Sequence, residues 1–299
     1  MKGGGVLALA ALAACCAHAQ PVVRPYPAPT ADVLLAALSA QQAAVRGMNA
    51  RVRATSWLGG ERVRATVNML VERDGHLRLE AEISLQGTVA TLATDGTTFT
   101  LYDAHKNEVS RGPACPANVA SLVRIPLAPA DVAAVLLGDA RPPPPYDSDG
   151  DPGRVPKPPR EGSRRAEPGG DPRDSASATV VWDARRGADV LALPVRDGGG
   201  TLQFLFRGDG AARTLVAVDR VGGAGTPLWR TAYEDHETVG GARVPGTIRF
   251  AEQAASFDDG VEIKFKERTL NAAPPTGGFT LAPPRGATVI DVGCGPAPK

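Results

Sequence analysis

From Arg62 to Tyr102 apolar and polar residues alternate with a period of two. Val63, Ala65, Val67, Met69 and Val71 interleave with Arg62, Arg64, Thr66, Asn68 and Glu72, and only Leu70 breaks the rule. Leu77, Leu79, Ala81, Ile83 and Leu85 interleave with Arg78, Glu80, Glu82 and Ser84. Successive side chains of a strand point to opposite faces, so this pattern predicts antiparallel strands with one apolar and one wet face. Arg73-Asp74-Gly75 supplies a hairpin turn between the first two strands, because Asp-Gly readily takes the backbone angles a tight turn needs. Gln86-Gly87 turns the chain into a third strand, Thr88 to Thr94, and Asp95-Gly96 into a fourth that carries Phe99 and Leu101. A continuous curved sheet with one greasy face is the expected result.

The segments around this sheet change period. Thr30 can cap a helix from Ala31 to Arg46, ending near Gly47, with Leu34, Leu38, Gln41 and Val45 on one face and Leu35 beside them. Asn49 to Leu58 returns to strand, and Gly59-Gly60 turns into the sheet. Asp103 to Gly112 reads as polar and turn-like. Asn118 is a candidate cap for a short helix through Val123, which Pro126 breaks. Pro129 suits the first turn of a second helix, which holds Val132, Val135, Leu136 and Leu137 and stops at Gly138. Strands resume near Thr179, over Val180–Trp182, Asp189–Leu193, Leu202–Phe206, Thr214–Val218 and Leu228–Tyr233. Two more carry Ile248 with Phe250, and Val261, Ile263 and Phe265. Helices early and in the middle with strands elsewhere predict an antiparallel α+β fold.

Pro142 to Ser175 differs from all of this. Four consecutive prolines, many glycines and mixed charge leave no apolar period, which predicts a disordered insertion over 142–175. Asp147, Asp149 and Asp151 imitate a calcium loop, but Pro152 stands where such a loop needs glycine and no Glu closes it. Composition agrees with a turn-rich β fold: 43% hydrophobic, only 5% aromatic, with 34 Gly and 27 Pro in 299 residues. The formal charge is +1 and vanishes without Lys2, so nothing points to nucleic acid.

The N-terminus carries an export signal. Lys2, the short apolar run Val6–Ala14 and the small residues after it match a secretory leader and are too short for a membrane span. Two processing sites compete. Leu12-Ala13-Ala14-Cys15 fits a bacterial lipobox, with residues 1–14 removed and Cys15 acylated; Ala17-His18-Ala19 fits ordinary cleavage before Gln20. The lipobox reading makes the protein a lipid-anchored envelope protein, and Cys16 after the acylated residue leans toward the outer membrane. Residues 15–29, rich in proline from Gln20 to Pro29, then form a flexible tether ahead of a single domain over 30–299. Cys115 and Cys294 remain in the mature chain and could pair in an oxidising compartment.

Enzyme chemistry is not legible. No G-x-S-x-G surrounds a serine, His76, His105 and His236 lack metal-ligand spacing, and Gly198-Gly199-Gly200 precedes a strand rather than a helix. His236, within Glu234-Asp235-His236-Glu237, reads as a polar strand end sooner than a cation site. No cofactor and no metal are expected.

Several motifs carry a family resemblance. Ser121-Leu122-Val123-Arg124-Ile125-Pro126-Leu127, followed by Val135-Leu136-Leu137-Gly138-Asp139, resembles the helix pair of the LolA/LolB lipoprotein-localisation superfamily, nearest to its outer-membrane receptor branch, LolB. Leu85-Gln86-Gly87 resembles the protruding Leu-Gly loop of that branch, with an extra Gln, and Pro283-Pro284-Arg285-Gly286-Ala287 resembles the ending of the LolA side. The resemblance implies a half-open, incomplete antiparallel β-barrel with an N-terminal helix and a two-helix lid. It implies an acyl-chain cavity lined by Val63, Val67, Met69, Leu79, Ile83, Phe99, Val132 and Leu136, and a membrane-insertion loop at Leu85. The implied partners are lipoprotein acyl chains or other lipid and a periplasmic carrier protein, on a monomeric, periplasm-facing, lipid-anchored receptor. From the residues alone a second arrangement stays open, in which Val63, Val67, Leu79 and Ile83 pack against the helices as a closed core. A carrier or sensor of another hydrophobic ligand and a structural lipoprotein that scaffolds partners through its charged insertion also remain open.

Overall fold

The computed structural model describes residues 21–58, 61–83, 86–141, 178–195, 199–253, 257 and 260–295. The leader and Cys15, the 142–175 insertion and Leu85 lie outside the described residues. Among those described, three α-helices accompany one 14-stranded sheet that does not close on itself, and a separate two-stranded ribbon.

The first half of the chain forms a meander. After helix α1 (Ala31–Ala44) come β1 (Gly47–Leu58), β2 (Glu61–Glu72), β3 (His76–Ile83), β4 (Gly87–Asp95), β5 (Thr98–Asp103) and β6 (Glu108–Pro113), each antiparallel to the one before. The register puts Ala50 opposite Met69, Met69 opposite Leu79, Leu79 opposite Leu92 and Leu92 opposite Leu101. This apolar row across five strands is what the period-two pattern demands of one face. A bulge between Ala81 and Glu82 against β4, and another between Arg51 and Val52, add local twist and help the sheet to curl.

Helices α2 (Pro116–Val123) and α3 (Pro129–Leu136) follow β6. The chain then resumes at β7 (Thr179–Asp183), on the far edge of the same sheet. Inward across the sheet from that edge lie β8 (Ala188–Pro194), β9 (Thr201–Arg207), β10 (Thr214–Val221), β11 (Pro227–Glu234), β14 (Thr247–Glu252) and β15 (Val261–Leu270), and β15 pairs with β1 to join the halves. The ribbon is β12 (Glu237–Val239) with β13 (Ala242–Val244). Because β6 and β7 belong to opposite flanks, the connection that carries α2 and α3 has to cross the sheet. It does so over the apolar face, with α3 packed on β2 and β3 and α2 on β4.

Two segments depart from the sequence-based expectation. Glu108–Pro113 is a strand rather than a polar turn, because its backbone pairs with β5 on one side and in parallel with β16 (Thr288–Asp291) on the other. Only Val109 of that strand is fully buried, so no apolar alternation announces it. The stretch Val22–Tyr26 is no free tether. Val22 exchanges backbone and side-chain contacts with the β7–β8 hairpin, through its N–H to the Ala184 carbonyl (2.8 Å) and its carbonyl from Trp182 Nε1–H (2.8 Å). Arg24 ion-pairs with the fully buried Asp189 at 2.8 Å and lies over the Trp182 ring, against which Tyr26 packs edge-on. Helix α1 starts at the expected cap, with the Val33 N–H donating to Thr30 Oγ1, and ends two residues early at Ala44 because Val45 and Gly47 are drawn into the sheet end. Cys115, at the N-cap of α2, and Cys294, just beyond β16, are joined as a disulfide with Cα atoms 6.1 Å apart.

Candidate functional site

The apolar face of the sheet is covered unevenly. At the end of the strands that carries the β2–β3 turn, the start of α3 presses on the backbone: a Cβ added at Gly75 would lie 2.8 Å from the Ala130 nitrogen. The positive φ of 96° at Gly75 makes that turn a glycine position as well. Here Val71, Leu77, Phe99, Val132 and Val135 are all buried to 2% exposure or less. At the other end, beside the β1–β2 and β3–β4 turns, α2 rests on β4 and leaves a cavity of about 440 Å³ over β2 and β3.

Its walls come from six strands, β1 to β4, β14 and β15, and both covering helices. Val63, Ala65, Val67 and Met69 of β2, with Leu79, Ala81 and Ile83 of β3, form the floor. Phe250, Val261 and Ile263 close one side, and Leu122, Val123, Pro126 and Leu136 form the roof. Exposure grades along the strands. Met69 and Leu79 are buried to 4% or less, whereas Val63 is 53% and Ile83 37% exposed, so the latter pair marks the mouth. Trp57 stands at the same mouth, with the Arg62 guanidinium 5.5 Å from its ring centre. Among the described residues, the two ionisable side chains in the lining are Arg124 and Glu252. Glu252 is exposed at the rim, and partial desolvation there raises its pKa above the ordinary carboxylate value.

Six of the eight residues expected around a cavity therefore line it: Val63, Val67, Met69, Leu79, Ile83 and Leu136. Phe99 and Val132 do not. Phe99 pairs with Thr94 at the far end of β4, and Val132 lies in the helix that seals that end, so both are core. Sequence reasoning missed Trp57, Arg124, Phe250 and Glu252. Phe250 and Glu252 arrive from β14, a strand nearly two hundred residues downstream of β2, and no local pattern ties them to it.

A buried polar cluster fixes the roof to the floor. Arg73, in the β2–β3 turn, donates from Nη1 to both carboxylate oxygens of Asp139 (3.0 and 2.9 Å) just beyond α3. Its Nε and Nη2 both donate to the Val45 carbonyl, so the same guanidinium also holds the end of α1. The Tyr233 hydroxyl donates to the Asp139 carbonyl at 2.5 Å. Burial outweighs the attraction of Arg73 and lifts the Asp139 pKa to about 6. Gly138 precedes it at φ 89°, where a Cβ would collide with Pro245 Cδ at 2.7 Å. The Leu-Gly-Asp ending of α3 thus has a physical role: end the helix, let Pro245 approach, and bury a carboxylate under Arg73.

The histidines play other parts. His236 is held at the Leu215 carbonyl (Nε2 to O, 3.1 Å), and burial lowers its pKa, as befits a packed strand end. Among the described residues, Glu72, Asp74 and His76 bring three potential ligand atoms within 4.8 Å, with His76 Nδ1 2.6 Å from Asp74 Oδ1 and the His76 ring 5.2 Å from that of Phe279. The group belongs to the β2–β3 hairpin, remote from the cavity mouth. No helix among the described residues is long and apolar enough to cross a membrane.

No protein-family profile and no curated protein matches this sequence. Solved structures do. A DUF1329 family protein from Desulfovibrio piger is similar at 10% identity and a TM-score of 0.50, over 83% of this chain and 95% of that one. A putative outer membrane lipoprotein-sorting protein domain from Vibrio parahaemolyticus aligns at 10% identity and 0.48, over 84% and 96%. The LolA superfamily protein NE2245 from Nitrosomonas europaea aligns at 12% and 0.47, over 85% and 99%. At such identities the likeness is one of fold alone.

Proposed function

We propose that this chain is a lipid-anchored, periplasm-facing protein of the bacterial envelope that shelters acyl chains in its cavity and hands lipidated cargo on at the outer membrane. The cavity carries the reading. An apolar hollow of about 440 Å³ with an exposed apolar rim is the shape and chemistry that a hydrocarbon chain fills. Each methylene moved from water into it contributes about 0.8 kcal/mol, enough for a long chain to bind without any polar contact. The motif resemblance around Ser121–Leu127 and Val135–Asp139 supports the same role, since those residues form the roof and its fastening.

In this reading Cys15 bears the lipid. Leu85, between Ile83 at the mouth and Gln86, is the apolar tip that meets a membrane or a periplasmic carrier protein during transfer. No step of bond-breaking chemistry is assigned to the protein. Extraction and mass spectrometry of whatever occupies the purified, untagged domain tests the central point: co-purifying lipid supports it, and an unoccupied protein that takes up no lipid or lipopeptide removes it. Cys15→Ala is expected to lose both the acyl mass and the membrane fraction. Leu85→Glu is expected to keep its melting temperature and its cargo but to stop delivery to membranes.

A further inference from the structure

We propose that the cavity is built for a single acyl chain whose head carries an acidic group, and that Arg124 is the residue that meets that head. This rests on the lipid-binding reading above and narrows its ligand.

The first argument is size. The hollow, about 440 Å³, lies in the lower part of the roughly 300–1,000 Å³ range of sites that take a single small ligand. That suits one chain. The three chains of a triacylated lipoprotein are about three times as bulky as one, so such cargo places one of its chains inside.

The second argument is charge. Arg124 lines the cavity, is exposed, and donates no side-chain hydrogen bond among the described residues. Its backbone is in the left-handed region, φ 57°, at the C-terminal end of α2. Glycine or asparagine takes such a position at lower cost, because a larger side chain crowds the carbonyl there. The negative end of the helix favours a basic residue in this place. It does not require the guanidinium to border an apolar hollow. A strained backbone that presents an unpaired cation at the mouth is what recognition of an anionic head needs. Glu252 reaches the lining from the sheet side and makes no ion pair among the described residues. It disfavours a second negative charge and suits an amine, so a fatty acid and a lysophospholipid with an amino head satisfy Arg124 equally and Glu252 differently.

Calorimetric titration of the delipidated full chain tests this with three probes, each below its micelle concentration: hexadecanoate, palmitoyl-lysophosphatidylethanolamine and hexadecyltrimethylammonium. At least one acidic-headed probe is expected to bind about tenfold or more tightly than the cationic one, the scale of one charged hydrogen-bonded contact. Whichever acidic head binds better identifies the source. Arg124→Gly is expected to weaken both acidic probes about tenfold while leaving the cationic probe unchanged. It should not lower the melting temperature, because glycine fits φ 57° without strain. Arg124→Lys should restore most of the lost affinity. Equal binding of the cationic head, or acidic probes indifferent to Arg124→Gly, overturns the assignment to Arg124. A protein that takes up diacyl lipid or lipopeptide but no single-chain probe overturns the size argument and leaves the lipid-binding reading standing. A protein that binds no lipid of any kind sinks both.

Discussion

The two ends of strand β2 show one sequence pattern with two outcomes. Val71 and Val63 occupy the same face of the same strand, eight residues apart in an alternation that only Leu70 breaks, yet Val71 is fully buried and Val63 is 53% exposed. The difference lies in what is laid over them. Near Val71 the close approach of α3 to Gly75, together with Phe99 and Val132, completes a sealed core. Near Val63 the roof is α2, which rests on β4, and the loop to Pro126, and together they leave a hollow over β2 and β3. Periodicity specifies which face is apolar, and the volume of the covering elements decides whether that face becomes a core or a cavity.

Truncations should break the symmetry of the two ends first. Phe99→Ala removes a large side chain from the sealed end and is expected to destabilise the protein by about 3–5 kcal/mol, whereas Ile83→Ala at the mouth should cost under about 1 kcal/mol. Urea denaturation of both variants decides; equal losses would mean the mouth is as tightly packed as the core.

The fastening between the ends comes next. Arg73→Ala leaves the Asp139 carboxylate buried without its partner and should cost about 3 kcal/mol near neutral pH. The pH dependence of this site has a definite sign. The pKa of Asp139 is raised from 3.8 to about 6 in the fold, so its favourable contribution is complete below about pH 4 and is lost as pH rises through about 6. Asp139→Asn cannot ionise. Its stability relative to the parent should therefore climb by about 2–3 kcal/mol between pH 4 and pH 7. Melting temperatures across that range would expose a flat difference, the result incompatible with a raised pKa.

The smallest effect on stability should accompany a large effect on binding. Ala81→Leu projects into the hollow from β3, where spare volume is available, and should change stability by less than about 1 kcal/mol. Uptake of a sixteen-carbon probe should fall sharply. A variant that still binds the probe as the parent does would place the ligand elsewhere.

Much of this arrangement was legible beforehand. The alternation from Arg62 to Tyr102, the Asp-Gly turns and the Thr30 cap each follow from local chemistry, and each element formed where that chemistry put it. Six cavity residues could be named because five belong to one local hairpin, β2–β3, and the family resemblance added Leu136 and the hollow itself. What escaped depends on long-range partners. Val22–Tyr26 looks like spacer until Asp189 and Trp182 are placed beside it. Arg73 looks like a turn residue until α3 delivers Asp139. Phe99 carries the same alternation as the cavity residues and differs only in depth along the sheet, and Val132 differs from Leu136 only in which end of α3 it occupies.

The pairing of β1 with β15 also has a consequence for how the molecule comes into being. Ala54 faces Ala65 from its own hairpin on one side and Ile263 on the other, and β15 is among the last elements of the chain to emerge. Until it arrives, the inner edge of β1 is an open strand with unsatisfied backbone groups, and the hollow lacks a wall. The early meander can form quickly from neighbours in sequence, whereas the closing step waits on a contact of very high sequence separation and is slow. Any shortened chain ending before Val261 would lack that wall and carry an exposed, pairing-prone edge. The enclosed hollow is therefore a property that appears only with β14 and β15.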